Sequence, residues 1–328
     1  NELIDADLYM VGINAKTGKN EAGQRFDKYL KKILPNASTG FIYKMLRKKN
    51  FTLNGKKAAG TEILKNQDVI KIFLSDDTFE KFSVDEETLK KNFNFLASLK
   101  LNGLKVIYED EDILAASKPI NMLSQKADPD DISANERLLG YLIGIGALTL
   151  DEYKNFKPSV CNRLDRNTSG IILMGKSLSG LQKLSEDLRE RTIKKYYMAW
   201  VCGDVSDEML IEEYLTKDAA ANKVLISDDP ISAVSAHIKT EYRPVKKLSD
   251  RTLLEVHLIT GKSHQIRAHL ASIGHPIIGD YKYGDRKIND KYKEQYGIKS
   301  QLLHAQRVVF EDGMEIKDEI PDVFKKLM

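Results

Sequence analysis

Four consecutive large apolar residues, Ile171-Ile172-Leu173-Met174, follow directly on a polar stretch of nine, Asn162-Arg163-Leu164-Asp165-Arg166-Asn167-Thr168-Ser169-Gly170. The apolar run, with two β-branched members, reads as a buried strand, which places the polar stretch in a loop or strand end at its edge. In that loop a carboxylate, Asp165, lies between arginines at i−2 and i+1. Nearby cations favour the charged carboxylate, so Asp165 suits a nucleophile or an electrostatic stabiliser better than a general acid. Taken alone, an R-x-D-R is more often a structural ion pair. The same stretch holds a decoy: Gly170 to Ser177 matches G-x-x-x-x-G-K-[ST] letter for letter. That pattern needs a flexible loop whose amides turn inward around phosphates. A run of four large apolar residues forms a strand instead, so no nucleoside triphosphate site is expected.

A chain of 328 residues holds one or two domains with an ample core. Two cysteines, Cys161 and Cys202, make neither a disulfide framework nor a metal cluster. No apolar run approaches the roughly 20 residues needed to span a bilayer, and no signal-peptide pattern opens the chain, so a cytoplasmic protein free of membrane is expected. The net charge of +3 conceals an asymmetry: residues 25–73 carry 12 Lys/Arg against 3 Asp/Glu, a local +9, and the remainder carries −6. A basic module attached to a larger body suggests a polyanionic partner.

Within that module Phe26, Leu30, Ile33 and Leu34 repeat as an amphipathic helix. Ser38 or Thr39 caps a second helix that carries Phe41, Ile42, Met45 and Leu46 inward. Strands are expected at 51–53, 62–64 and 69–73, with a turn at Asn54-Gly55. This order, with R-F-D-K-Y-L at its start and L-N-G in its middle, resembles the S4 RNA-binding domain. The resemblance implies that Arg25, Lys28, Lys44, Arg47, Lys48 and Lys49 touch RNA phosphates. Residues 1–22 form an N-terminal extension, 23–75 the S4-like domain, 76–102 a charged linker and 103–328 the main body.

In the main body, the nonapeptide resembles the H-R-L-D-x-x-T-S-G motif of the pseudouridine synthases that act on ribosomal large-subunit RNA and on tRNA, with Asn162 in place of the usual His. Three further segments resemble that family in the expected order. They are Lys195 to Gly203 (K-x-Y-x-A-x-V-x-G), Thr260 to Arg267 (T-G-R-x-H-Q-[IL]-R, with Lys262 for the usual Arg) and Gly279 to Tyr283 (G-D-x-x-Y). Lys118-Pro119, after a strand, an acidic turn and a second strand, matches the pattern that precedes the Asp loop. The resemblance implies an α+β fold: a mixed, largely antiparallel sheet with flanking helices and a central cleft, plus the small α/β S4-like domain. It implies Asp165 as nucleophile, Tyr197 stacked on the target base, Arg267 paired with Asp165, and Ile266 lining the base pocket. Arg163 and Arg166 would bind flanking phosphates at the pocket. Strand alternation puts Tyr196 on the opposite face from Tyr197. His264 and His269, five apart on different helical faces, read as structural, and no zinc site is expected. The implied activity is isomerisation of uridine to pseudouridine in ribosomal RNA, favoured over tRNA, as in the large-subunit synthases of the C and D type. No cofactor and no metal are implied, and a monomer is expected. Whether Asp165 attacks the base at C6, the sugar at C1′, or assists elimination stays open. A non-catalytic S4-type assembly factor is the alternative.

Overall fold

The computed structural model describes residues 10–17, 22–83, 86–218 and 223–328. The expectation for 1–9 and 18–21 lies outside them. The chain divides into two compact units. One contains the described residues of 1–100 with 136–159 and 175–182; the other contains 101–135, 160–174 and the described residues from 183 onward.

The first unit opens with β1 (Met10–Lys16), α1 (Phe26–Ile33) and α2 (Thr39–Arg47), then β2 (Phe51–Leu53), β3 (Lys56–Lys57) and β4 (Val69–Ser75). The strands form a sheet in the order β1-β4-β2-β3. Ser38 caps α2, its side chain accepting from Phe41 N at 3.1 Å. Asn54 and Gly55 both take positive φ, 51° and 72°, the two-residue turn that joins β2 to β3. Phe26, Leu30, Ile42, Leu46, Phe51, Ile70 and Ile72 fill the core between helices and sheet. Residues 62–64, expected as a strand, make only a single bridge, Ile63 to Arg25. The segment read as a linker carries two helices, α3 (Asp76–Phe82) and α4 (Glu86–Ala97). Phe79 and Phe82 of α3 pack on the same core. Helices α5 (Ala134–Gly144) and α6 (Leu150–Asn155) follow later in the chain, and Tyr153 of α6 meets Phe93 of α4 at 5.7 Å between ring centroids.

The second unit is built on an eleven-stranded sheet. Its strands are β5 (Lys105–Glu109), β6 (Ile113–Lys118), β7 (Ser159–Val160), β8 (Ser169–Gly175), β9 (Lys194–Cys202), β10 (Met209–Asp218), β11 (Lys223–Ser227), β12 (Ala236–Lys247), β13 (Arg251–Leu258), β14 (Leu303–Val309) and β15 (Glu315–Lys317). The main path runs β11-β10-β12-β13-β9-β14-β8-β6-β5. The pairs from β11 through to β14 are antiparallel, whereas β8 runs parallel to β14. Helices α7 (Leu178–Glu190), α8 (Gln265–Ser272), α9 (Arg286–Tyr296) and α10 (Asp322–Lys325) flank it. Of the segment matching the phosphate-loop pattern, Gly170 to Gly175 lie in strand β8, buried at every position, so their amides belong to a sheet. Its Ile171 and Leu173 join Ile113, Ala115, Val308 and Ile316 in one core cluster. Trp200 centres another with Leu253, Ile278 and Phe324 and donates from Nε1 to Phe324 O at 3.1 Å. No helix among the described residues is long and apolar enough to cross a membrane.

Candidate active site

Asp165 lies on the loop that leads into β8. Its backbone carbonyl accepts from Thr168 N at 3.0 Å, closing a tight turn. The loop is tied from several sides. Ser124 Oγ donates to Leu164 O and accepts from Leu164 N, at 3.1 and 3.0 Å. Asn162, which replaces the usual His, donates from Nδ2 to Ile171 O at 3.1 Å and accepts at Oδ1 from Leu173 N at 2.7 Å. The amide thereby serves the backbone of β8. Lys118, fully buried at the end of β6, donates to Pro119 O, Met122 O and Arg166 O at 2.9, 2.8 and 3.2 Å. Three acceptors match the three protons of an ammonium. Burial pushes Lys118 down to about 7, while the charge of Asp165 pulls it back up.

The charge partner of Asp165 comes from 102 residues away. Arg267 on α8 donates from Nη1 to Asp165 Oδ2 at 2.9 Å. The same guanidinium grips Asp280, Nε to Oδ2 at 2.7 Å and Nη2 to Oδ1 at 2.9 Å. Asp280 is fully buried and also accepts from the backbone of Lys282 and Tyr283. Burial opposes the charge of Arg267, yet Asp280 first and Asp165 second raise its pKa above the usual arginine range. The paired guanidinium thereby sets a fixed positive charge in hydrogen-bond contact with Asp165. The Asp165 side chain keeps 26% of its surface exposed.

Tyr197 on β9 is buried, and burial first, then the charge of Asp165, raise its pKa, so it remains a phenol. Tyr196 turns to the other face, stacked on His257 at 4.8 Å with the Arg307 guanidinium 3.8 Å from its ring centre. Ile266 is buried beside Arg267 at the start of α8. Arg163 and Arg166 are exposed, and neither pairs with Asp165 among the described residues. Taken alone, the R-x-D-R suggested an ion pair within the loop; the partner of Asp165 is instead Arg267, as the resemblance implied. Of the two histidines read as structural, His269 is fully buried and bonds Thr240 Oγ1 at 2.7 Å, with burial lowering its pKa to about 4. His264 instead stands at the site, Nε2 being 3.9 Å from Asp165 Oδ2.

Sequence reasoning named the segments that hold Lys118, Asp280 and Tyr283 without giving these side chains a role, read His264 as structural and did not single out Ser124. The available signals were a lysine closing an apolar strand before proline and an aspartate inside the G-D-x-x-Y turn. No cluster of three or more His, Cys, Asp or Glu side chains that could hold a metal occurs among the described residues.

On the first unit Lys28, Lys44, Arg47, Lys48 and Lys49 are exposed and have no ion-pair partner among the described residues. Arg25 differs: it clamps Asp27 through Nε and Nη2 at 3.1 and 2.9 Å, and Tyr43 donates to the same carboxylate.

A loop aspartate is gripped by a helix arginine, and its charge reaches a buried strand tyrosine; comparison with known proteins points to the family that the motifs resemble. Residues 112–272 match the family model described as RNA pseudouridylate synthase. The chain belongs to the RNA pseudouridine synthases, and is an enzyme of that class. It is 31% identical to ribosomal large subunit pseudouridine synthase C of Vibrio vulnificus, across 94% of this chain and 92% of that one. It is 30% identical to the protein of the same name from Buchnera aphidicola, across 89% and 87%. Its fold is similar to the solved structure of human RNA pseudouridylate synthase domain containing 4, with TM-score 0.55 and 18% identity over 72% of this chain and 95% of that one.

Proposed function

We propose that this protein converts specific uridines of large-subunit ribosomal RNA to pseudouridine, with Asp165 as the catalytic carboxylate. The observation that carries the reading is the Asp165–Arg267 pair: Oδ2 is occupied at 2.9 Å, and Oδ1 accepts no hydrogen bond among the described residues. A charged carboxylate with one free oxygen can attack or assist departure of a nucleobase. The reaction breaks the bond between N1 and C1′, turns the uracil and rejoins it through C5. A stacked uridine cannot reach Asp165, so it must be flipped out at a cost of a few kcal/mol. Tyr197 would pack against the uracil, Ile266 would line its pocket, and Arg163 and Arg166 would meet the flanking phosphates. Residues 23–75 would serve as an S4-like RNA-binding domain and 103–328 as the catalytic domain, working as a cytoplasmic monomer. The choice of ribosomal RNA is supported by the relatives named large subunit synthase C.

The test is to map pseudouridine in large-subunit ribosomal RNA from a strain lacking the gene. One or more sites should revert to uridine, be restored by the wild-type gene and stay unmodified with Asp165→Asn. An unchanged map, or restoration by Asp165→Asn, would overturn the proposal.

A further inference from the structure

His264 takes a left-handed backbone conformation, φ 59° and ψ 10°, at the start of α8, where its side chain caps no amide. A side chain other than glycine is strained there, and such strain gathers at functional sites. From this position the imidazole reaches toward Asp165. Nε2 lies 3.9 Å from Asp165 Oδ2, and Nδ1 lies 2.9 Å from Tyr283 Oη. The two rings meet edge to face at 5.7 Å and 73°.

The hydrogen bonds favour one position for the ring proton. Tyr283 Oη accepts from the backbone N–H of Val224 at 3.0 Å. The phenol proton then has one acceptor among the described residues, His264 Nδ1. Tyr283 remains a phenol, since burial is the first cause of its raised pKa. Burial also favours the neutral imidazole of His264, opposed by Asp165 and helped by Arg267 and Lys282, with Asp280 also facing the group. A neutral ring that accepts at Nδ1 must carry its proton at Nε2, the nitrogen turned toward Asp165.

The geometry points to His264 as a positioning residue of the site: the chain Val224 N–H, Tyr283 O–H, His264 Nδ1 holds it as the Nε2–H tautomer. Its N–H then backs the same carboxylate oxygen that Arg267 holds, and Oδ1 is left for the substrate. This rests on the functional reading above. At 3.9 Å the contact is longer than a hydrogen bond, and substrate binding should shorten it, as catalytic hydrogen bonds tighten in the complex.

Two measurements test it. In protein with ¹⁵N-labelled histidine, the His264 ring should show the Nε2–H tautomer near pH 7, and Tyr283→Phe should shift it toward a mixture. A ring protonated at Nδ1 in the wild type would overturn the proposal whatever the activity. In a pseudouridine assay, His264→Asn should lower kcat roughly 10- to 100-fold, the loss expected for a displaced reacting group, with KM changed less than threefold. Asn tolerates the left-handed backbone, so the fold should survive. Tyr283→Phe should lower kcat in the same direction, and the double variant should be no worse than His264→Asn alone, because the two act as one unit. Additive losses, or wild-type kcat in His264→Asn, would overturn the role while leaving the functional reading intact. An inactive wild type would overturn both.

Discussion

Arg267 gives Asp165 only one of its three guanidinium nitrogens; Nη1 holds Asp165 Oδ2 at 2.9 Å while Nε and Nη2 stay with Asp280. Asp280 is therefore the anchor that aims the arginine, although its carboxylate is fully buried while that of Asp165 is partly exposed. Asp280→Asn would leave a buried cation with half its compensation. Breaking a buried pair in this way costs about 3–5 kcal/mol, and a reacting group displaced by about 1 Å can lose a hundredfold in rate. We expect urea unfolding to show a loss of about 3 kcal/mol. Steady-state kinetics should show kcat lowered by about 10- to 100-fold with KM little changed.

Gly170, next to Ser169 at the head of β8, carries a second constraint. Its φ is +112°, and a Cβ there would lie 2.2 Å from Ala305 O and 2.6 Å from Ala305 N on the parallel strand β14. Backbone atoms held in a sheet cannot step aside. Gly170→Ala combines a strained dihedral with overpacking, each about 1–3 kcal/mol, so the variant should lose about 3 kcal/mol or more. A urea midpoint within error of wild type would show that β8 and β14 can separate at this point.

What the sequence disclosed follows from how local its signals are. The run Ile171–Met174 is apolar at every position and folds as the wholly buried β8. Alternation along β9 correctly separated Tyr197 from Tyr196. The pairing of Arg267 with Asp165 spans 102 residues and was legible only through resemblance to a family. Lys118 and Asp280 escaped because both residue types normally lie at the surface, and their burial depends on partners that no local pattern reveals. The flanking arginines misled for the opposite reason. Adjacency suggested an ion pair, but a turn sets side chains at i−2 and i+1 apart from the carboxylate. Residues 76–97 look like a charged connection, yet Phe79, Phe82, Leu89 and Leu96 are spaced to give two helices an apolar side.

Lys118 makes a prediction in pH. Burial lowers its folded pKa to about 7 from an ordinary 10.5. Between those values the unfolded chain binds a proton that the folded chain releases, so stability rises with pH across that window and is flat below it, where both states are protonated. Lys118→Met abolishes this dependence and orphans three carbonyls. At pH 7 the variant should be less stable by roughly 1–3 kcal/mol, the cost of leaving buried acceptors unpaired. Its deficit should then grow by up to roughly 1.4 kcal/mol per pH unit as pH is raised. Urea unfolding at pH 7, 8 and 9 reads both quantities. A deficit that stays constant with rising pH would mean that Lys118 keeps its proton across this range.

Arg25 is already paired with Asp27, so, on the proposed S4-like role of the first unit, its RNA-binding charge should come from Lys28 and from the group Lys44, Arg47, Lys48 and Lys49 on and after α2. These side chains are exposed and have no ion-pair partner among the described residues. Exposed charges contribute little to folding, so changing all four of the α2 group to Gln should leave the unfolding midpoint nearly unchanged. Each phosphate contact contributes about 0.7 to the slope of log K against log salt for a single-stranded RNA. The fourfold variant should therefore bind a large-subunit RNA fragment with a slope shallower by about 3, and its KM should rise by at least tenfold near 0.15 M salt. With Asp165, Arg267 and Tyr197 untouched, kcat at saturating RNA should stay within about twofold of wild type. A wild-type slope in this variant would assign RNA binding to other charges, whereas a fall in kcat would mean that these cations act on the bound uridine and not only on capture.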